Sequence, residues 1–197
     1  FNNIETKIID LATGLINSDM DVENYDQLKA SKNPQMSIAI PSKKDFGGIK
    51  RREKFSKVFF VKSKLTGETE LIVLPIYGKG LWSTLYAFVA LSADTKIVKG
   101  LGFYQHGETP GLGGEIENPK WTSLWNGKQV YDENFNPVLK VIKGRVNPDS
   151  SNAQHEIDGL SGATITSNGV TGLVRYWLGD HGFGPYLSNL RKEGGVQ

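Results

Sequence analysis

Lys57-Val-Phe-Phe-Val-Lys-Ser-Lys-Leu-Thr-Gly-Glu-Thr-Glu-Leu-Ile-Val-Leu74 holds two runs rich in β-branched and aromatic residues, joined by a short polar stretch with one glycine. The runs 57–62 and 68–74 predict strands, and Lys64-Leu-Thr-Gly67 predicts the hairpin turn between them, with Gly67 free to adopt a left-handed conformation. A second pair follows at 85–91 and 96–105 around Ser92-Ala-Asp-Thr95. Four strands in two hairpins point to an antiparallel sheet. Toward the C-terminus Val170, Leu173, Val174, Trp177 and Leu178 fall at i, i+3, i+4, i+7 and i+8, the stripe of a helix packed on a core.

Nearer the N-terminus, Ile4, Ile8, Ile9, Leu11, Ala12 and Leu15 form an irregular apolar face that predicts a first amphipathic helix over 3–17. Residues 19–50 are polar and broken by Pro34, Pro41 and Gly47-Gly48, which predicts loops and one short strand near 36–40. A short helix is expected over 118–125, with Pro119 in its first turn, and a further strand over 138–142. The loop 144–156 carries no periodicity. The expected fold is α+β: a twisted, mainly antiparallel sheet with N-terminal and C-terminal helices packed against it. At 197 residues the chain suits one domain, 1–197, with a helical and irregular region over 1–55 and a core over 56–197.

Composition excludes several classes of function. Apolar residues at 38% and charged residues at 22% describe an ordinary globular chain, and no apolar run in it is long enough to span a bilayer. A net charge of +2 without a basic stripe argues against nucleic acid as a partner. The absence of cysteine removes thiolate catalysis, cysteine-ligated iron–sulfur clusters and disulfides. His106, His155 and His181 lack ligand spacing, so no metal site is expected.

Small residues, hydroxyls and a carboxylate crowd together in Asp158-Gly-Leu-Ser-Gly-Ala-Thr-Ile-Thr-Ser-Asn-Gly169, just ahead of the helical stripe. A helix N-terminus there would offer unpaired amides and a positive dipole end to a phosphate near Thr164 to Ser167. The plainer reading is a capping turn with Thr166, Ser167 or Asn168 as N-cap. Asp158, ahead of a glycine, equally fits a turn residue bonded to its own backbone. Gly107-Glu-Thr-Pro-Gly-Leu-Gly-Gly114 joins a rigid proline to four glycines, so its backbone could lie close to a planar ligand or form a tight surface turn. Gly78-Lys-Gly-Leu-Trp-Ser83 lacks the third glycine and the following helix of a dinucleotide fingerprint. Trp82 is open to a core position or a ligand wall. Ser161, with Asp180 and His181 after it, is the serine-hydrolase alternative, but the segment before Ser161 is polar and irregular where a nucleophile elbow needs a strand. A ligand-binding module without turnover at 107–114 is the non-enzymatic alternative.

Asp158-Gly-Leu-Ser-Gly-Ala-Thr164 resembles the motif that flavin transferases recognise when they join FMN through its phosphate to a threonine. Together with Gly78–Ser83, Gly107–Ile116 and Trp177–Pro185 in the same order, it makes the chain from about Tyr77 onward resemble the soluble domain of the C subunits of sodium-translocating NADH:quinone reductases. That family is related to the G subunits of the Rnf-type electron-transfer complexes. The resemblance implies FMN in phosphoester linkage to Thr164. The small residues Ser161, Gly162 and Ala163 would leave that hydroxyl accessible, and Asp158 would serve transferase recognition. It further implies Glu108, Thr109, Gly111 and Leu112 near the isoalloxazine, with Thr109 and Leu112 in contact, and Trp82 and Ser83 at the same site. The function implied is one-electron transfer, with no catalytic residue of its own, inside a membrane complex that oxidises NADH, reduces quinone and exports sodium. The partners implied are the other subunits and, during maturation, a flavin transferase. An N-terminal anchor ahead of Phe1 would hold the domain on the periplasmic side of a bacterial inner membrane.

Overall fold

The computed structural model describes residues 3–193. Its strands are β1 (Ile4–Asp10), β2 (Leu15–Asn17), β3 (Ser37–Ala39), β4 (Arg51–Glu53), β5 (Phe55–Lys62), β6 (Thr69–Lys79), β7 (Thr84–Ser92), β8 (Val98–Gln105), β9 (Lys140–Val141) and β10 (Glu156–Ile157). The α-helices are α1 (Gln27–Lys32), α2 (Pro119–Thr122), α3 (Thr164–Trp177) and α4 (Gly184–Lys192). Short 3-10 turns occupy Gly113–Glu117, Ser123–Trp125 and Ala153–His155.

The main sheet runs β2-β1-β5-β6-β7-β8, with antiparallel pairing throughout. Both expected hairpins are present, and Gly67 turns the first at φ +73°. Alternation sets which face is buried: Ile72, Leu74 and Ile76 of β6 and Leu85, Ala87, Val89 and Leu91 of β7 all point into the core. Val170, Leu173, Val174, Trp177 and Leu178 meet them from α3. The helix lies unusually close to β6. A Cβ on Gly78 would stand 2.6 Å from Leu173 Cβ, and one on Gly169 would run into the Lys79 carbonyl, so larger residues at either point would push helix and sheet apart. The Trp177 indole donates to the Tyr77 carbonyl at 2.6 Å and fixes the helix along the strand.

The α+β, mainly antiparallel architecture is as expected, but the first helix is not. Residues 4–17 form the hairpin β1–β2, turned at Gly14 (φ +71°), with the Asp10 carboxylate accepting the Ala12 amide at 2.8 Å. The difference has a physical cause. Ile9 faces the main core while Ile8 faces a second small cluster with Tyr25 and Ala30, so β1 is covered on both faces and loses the alternation of a half-buried strand. The helix of this region is α1, capped by the Asp26 side chain, which accepts the Leu28 and Lys29 amides. A second helix follows α3: α4 begins at Gly184-Pro185 and packs Tyr186, Leu187 and Leu190 inward.

Candidate functional site

Three segments converge where α3 begins: the turn 158–163, the loop 106–117 and the β6–β7 turn 80–83. The helix starts earlier than a hydroxyl cap would place it. Its N-cap is Ala163, which has no side-chain acceptor to offer, and Thr164 is the first helical residue. Thr166 and Ser167 are buried within the first turn rather than capping it. Thr166 Oγ1 donates to Glu108 Oε2 at 2.6 Å, and Ser167 Oγ accepts the Leu160 amide at 3.3 Å. The first-turn amides of α3 are therefore left for an external acceptor, beside an exposed Thr164 hydroxyl.

Thr164 opens onto a cleft of about 700 Å³ shared by Asp158, Leu160, Ser161 and Gly162. Trp121 and Leu124 give it apolar surface, and Lys120, Lys143 and Arg145 give it positive charge. Asp158 holds this wall together. Its carboxylate accepts the Val146 amide at 2.8 Å and its carbonyl accepts the Trp121 indole N–H at 2.8 Å. Behind it, the Gly159 amide donates to the Gly144 carbonyl at 2.8 Å, and a Cβ on Gly159 would collide with the Ile142 carbonyl. A second cleft of about 700 Å³, lined by His106, Glu108, Pro110 and Gly111, shares Glu115 and Asn118 with the first.

Glu108 joins the three segments. Its carboxylate is buried and accepts the amides of Leu81 (3.2 Å), Trp82 (2.9 Å) and Ser83 (3.2 Å) as well as the Thr166 hydroxyl. Burial alone would raise its pKa, but the Thr166 hydroxyl and the three amides outweigh it and hold the carboxyl below its usual value. Ser83 Oγ accepts the Gly107 amide at 2.7 Å, and the Thr109 carbonyl accepts the amides of Leu112 and Gly114 at 3.1 and 2.9 Å. Gly111 adopts φ +75°, which lets the loop turn back so that Leu112 reaches Gly162, with its Cδ2 3.0 Å from where a Gly162 Cβ would stand.

The residues singled out from sequence thus gather in one region. Asp158, Ser161, Gly162 and Thr164 line the first cleft, and Glu108 and Gly111 the second. Ala163 is buried at the cap, and Leu112 bridges the two walls. Trp82, Ser83 and Thr109 line neither cleft. Trp82 is 70% exposed, so it is no core tryptophan; that role falls to Trp121, Trp125 and Trp177. Lys120, Trp121, Leu124, Lys143, Arg145 and Leu160 were not foreseen. The basic pair flanking Gly144 was the available sign in an otherwise featureless loop. Ser161 and the pair Asp180-His181 sit beyond opposite ends of the 14-residue α3, roughly 20 Å apart, so no hydrolase triad can form.

Residues 80–179 match the family described as FMN-binding domain. The C subunit of the Na(+)-translocating NADH-quinone reductase of Pseudomonas aeruginosa is 49% identical over 191 residues, which span 97% of this chain and 72% of that protein. Its counterpart from Yersinia pestis is 45% identical over 189 residues, spanning 96% and 69%. The crystal structure of Shewanella oneidensis NqrC superposes with a TM-score of 0.88 at 37% identity, covering 96% of this chain and 85% of that one. Fold, site and family match together define the class as that of an FMN-binding domain. More narrowly, the chain belongs to the family of the C subunits of Na(+)-translocating NADH-quinone reductases.

Proposed function

We propose that this chain is the flavoprotein electron carrier of a sodium-translocating NADH:quinone reductase and holds FMN as a phosphoester on Thr164. The observation that carries the reading is the exposed Thr164 hydroxyl at an uncapped helix N-terminus, in a cleft walled by Lys120, Lys143 and Arg145. A phosphodiester there is met by free amides, by the positive end of a 14-residue helix and by three cations. Trp121, Leu124 and Leu160 supply the apolar surface that an aromatic ring system needs, and Leu112 reaches over Gly162 from the loop opposite. Bound FMN supplies the redox chemistry; the chain's own residues anchor the phosphate, pack the ring and set its electrostatic surroundings.

Exposed Trp82 and Leu112 border this region, so an electron donor or acceptor on a neighbouring subunit could approach closely. In this reading residues 1–197 act as one FMN-binding unit. The partners are the other subunits of the reductase, and the relatives' names favour that complex over the Rnf-type one. Among the described residues no helix is long and apolar enough to cross a membrane. Attachment on the periplasmic side through an anchor ahead of Phe1 belongs to the proposal. So does maturation by a flavin transferase that uses Asp158 and its neighbours as the recognition turn. Thr164 Oγ would become bonded to the FMN phosphorus of FAD as AMP leaves and the hydroxyl proton is released.

Intact mass decides the matter. Co-expression with a flavin transferase should add one FMN less one water, fragmentation should place it on Thr164, and Thr164→Ala should abolish the gain without unfolding the protein. Retention of denaturation-resistant flavin by Thr164→Ala would disprove the assignment. No gain in the wild-type chain with the transferase present would remove the phosphoester reading.

A further inference from the structure

The Glu108 carboxylate is a buried anion held entirely by neutral donors. Three backbone amides and the Thr166 hydroxyl satisfy it, with a longer bond from the Ser83 hydroxyl at 3.5 Å, and among the described residues no lysine, arginine or histidine forms an ion pair with it. The surrounding chain is shaped to this carboxylate. A Cβ on Gly80 would stand 2.6 Å from Oε1, and one on Gly113 would stand 2.9 Å from Oε2 and 2.6 Å from Thr166 Oγ1. Glu108 also lines the cleft that shares Glu115 and Asn118 with the cleft of Thr164, and its hydrogen-bond partner Thr166 lies two residues beyond Thr164 on the same helix.

We propose that Glu108 is a positioning residue that also acts electrostatically. It locks the 80–83 turn and the 107–114 loop to the first turn of α3, and its fixed charge holds down the reduction potential of the flavin. The inference rests on the reading that FMN is attached at Thr164. Adding an electron raises the negative charge of the bound group. A nearby anion whose compensation is limited to dipoles opposes that change, most strongly where its carboxylate is turned away from water. The lock is independent of the charge. An isosteric amide with its oxygen at the Oε1 position still accepts the Trp82 and Ser83 amides, and its NH2 can donate to Thr166 Oγ1 after the hydroxyl turns, with the Leu81 amide alone losing its acceptor.

The test uses wild type, Glu108→Gln and Thr166→Val, each co-expressed with a flavin transferase and titrated spectroelectrochemically at pH 8. Mass spectrometry first establishes that each carries one flavin on Thr164. Glu108→Gln should shift the midpoint potential upward, because the charge is gone. Thr166→Val keeps the charge and removes the shortest donor to it, so its potential should shift slightly downward. Opposite signs are the signature, since simple loosening of the site would move both variants the same way. Shifts of the same sign, or an unchanged potential in a flavinylated Glu108→Gln protein, would overturn the proposal. Were Glu108→Gln to fail to fold, an unchanged or raised potential in Thr166→Val would still overturn it. Absence of flavin from the wild-type chain would instead be a failure of the attachment reading, and mass alone reveals it.

Discussion

Two buried glutamates stand in different parts of the molecule, and their pKa values shift in opposite directions. Glu108, beside the start of α3, receives three amides, the Thr166 hydroxyl and, at 3.5 Å, the Ser83 hydroxyl, and its pKa falls below the usual carboxylate value despite burial. Glu53, on β4, is fully buried and receives the Tyr77 hydroxyl at 2.6 Å, while its Oε1 has no partner among the described residues. The adjacent Arg52 does little to relieve it. That guanidinium donates to the His181 carbonyl at 2.7 Å and to the Glu53 carbonyl at 2.8 Å, leaving the carboxylate to one donor. Burial therefore dominates and pushes Glu53 up to about 7. Two carboxylates shielded by the protein thus shift in opposite directions, because the number of donors aimed at each decides how readily ionisation is tolerated.

The most severe way to break this contrast is Glu108→Ala. It would leave the amides of Leu81, Trp82 and Ser83 and the Thr166 hydroxyl without their acceptor at the wall of the second cleft. A loss of about 3–5 kcal/mol is expected from breaking such a buried charged network, read by urea unfolding at neutral pH. A loss under about 1 kcal/mol would mean that water or another group readily replaces the carboxylate.

Glu53 should show itself in the pH dependence of stability. Its folded pKa of about 7 lies above the ordinary 4.5, so between those values the folded state keeps a proton that the unfolded chain has released. The group's contribution is therefore complete below the unfolded pKa and disappears as pH rises through the folded one. Unfolding free energy should decline by up to about 3 kcal/mol between pH 5 and pH 8 through this group. Glu53→Gln should flatten that decline and make the protein more stable than wild type at pH 8. An unchanged slope in the variant would assign the titration to another group.

How far the sequence revealed these features depended on the range of the contacts that make them. The strand pairs β5–β6 and β7–β8 were legible because each strand alternates and each turn is local, with Gly67 marking the first. Strand β1 was illegible because Ile8 and Ile9 serve different clusters, and its consecutive buried residues imitate a helical face. Thr164 came from a motif within one turn of chain. Lys143 and Arg145 reach the same cleft only because Gly159 packs on the Ile142 carbonyl, a tertiary contact with no periodic trace. Glu108 was visible as a site residue, but its part in joining the segments was not, since the Thr166 that completes its shell lies 58 residues away.

The finest test of the contrast removes one hydroxyl from each carboxylate. Tyr77→Phe deletes the side-chain hydroxyl that, among the described residues, donates to Glu53 Oε2, while the ring keeps its place 5.0 Å from Trp177 and 5.8 Å from Tyr86. At pH 5, where Glu53 is protonated, the loss should be about 1 kcal/mol, the usual net value of one hydrogen bond. Its ionised form, however, then has no strong donor left, so the folded pKa should rise and the decline in stability, starting at the same unfolded pKa, should extend to higher pH. Thr166→Val removes the corresponding hydroxyl from Glu108, yet three amides remain on that carboxylate and it should stay ionised throughout the range. The Val variant should thus lose a similar increment with no displacement of the pH profile. A displaced profile in Thr166→Val, or an unmoved one in Tyr77→Phe, would show that donor count does not separate the two sites.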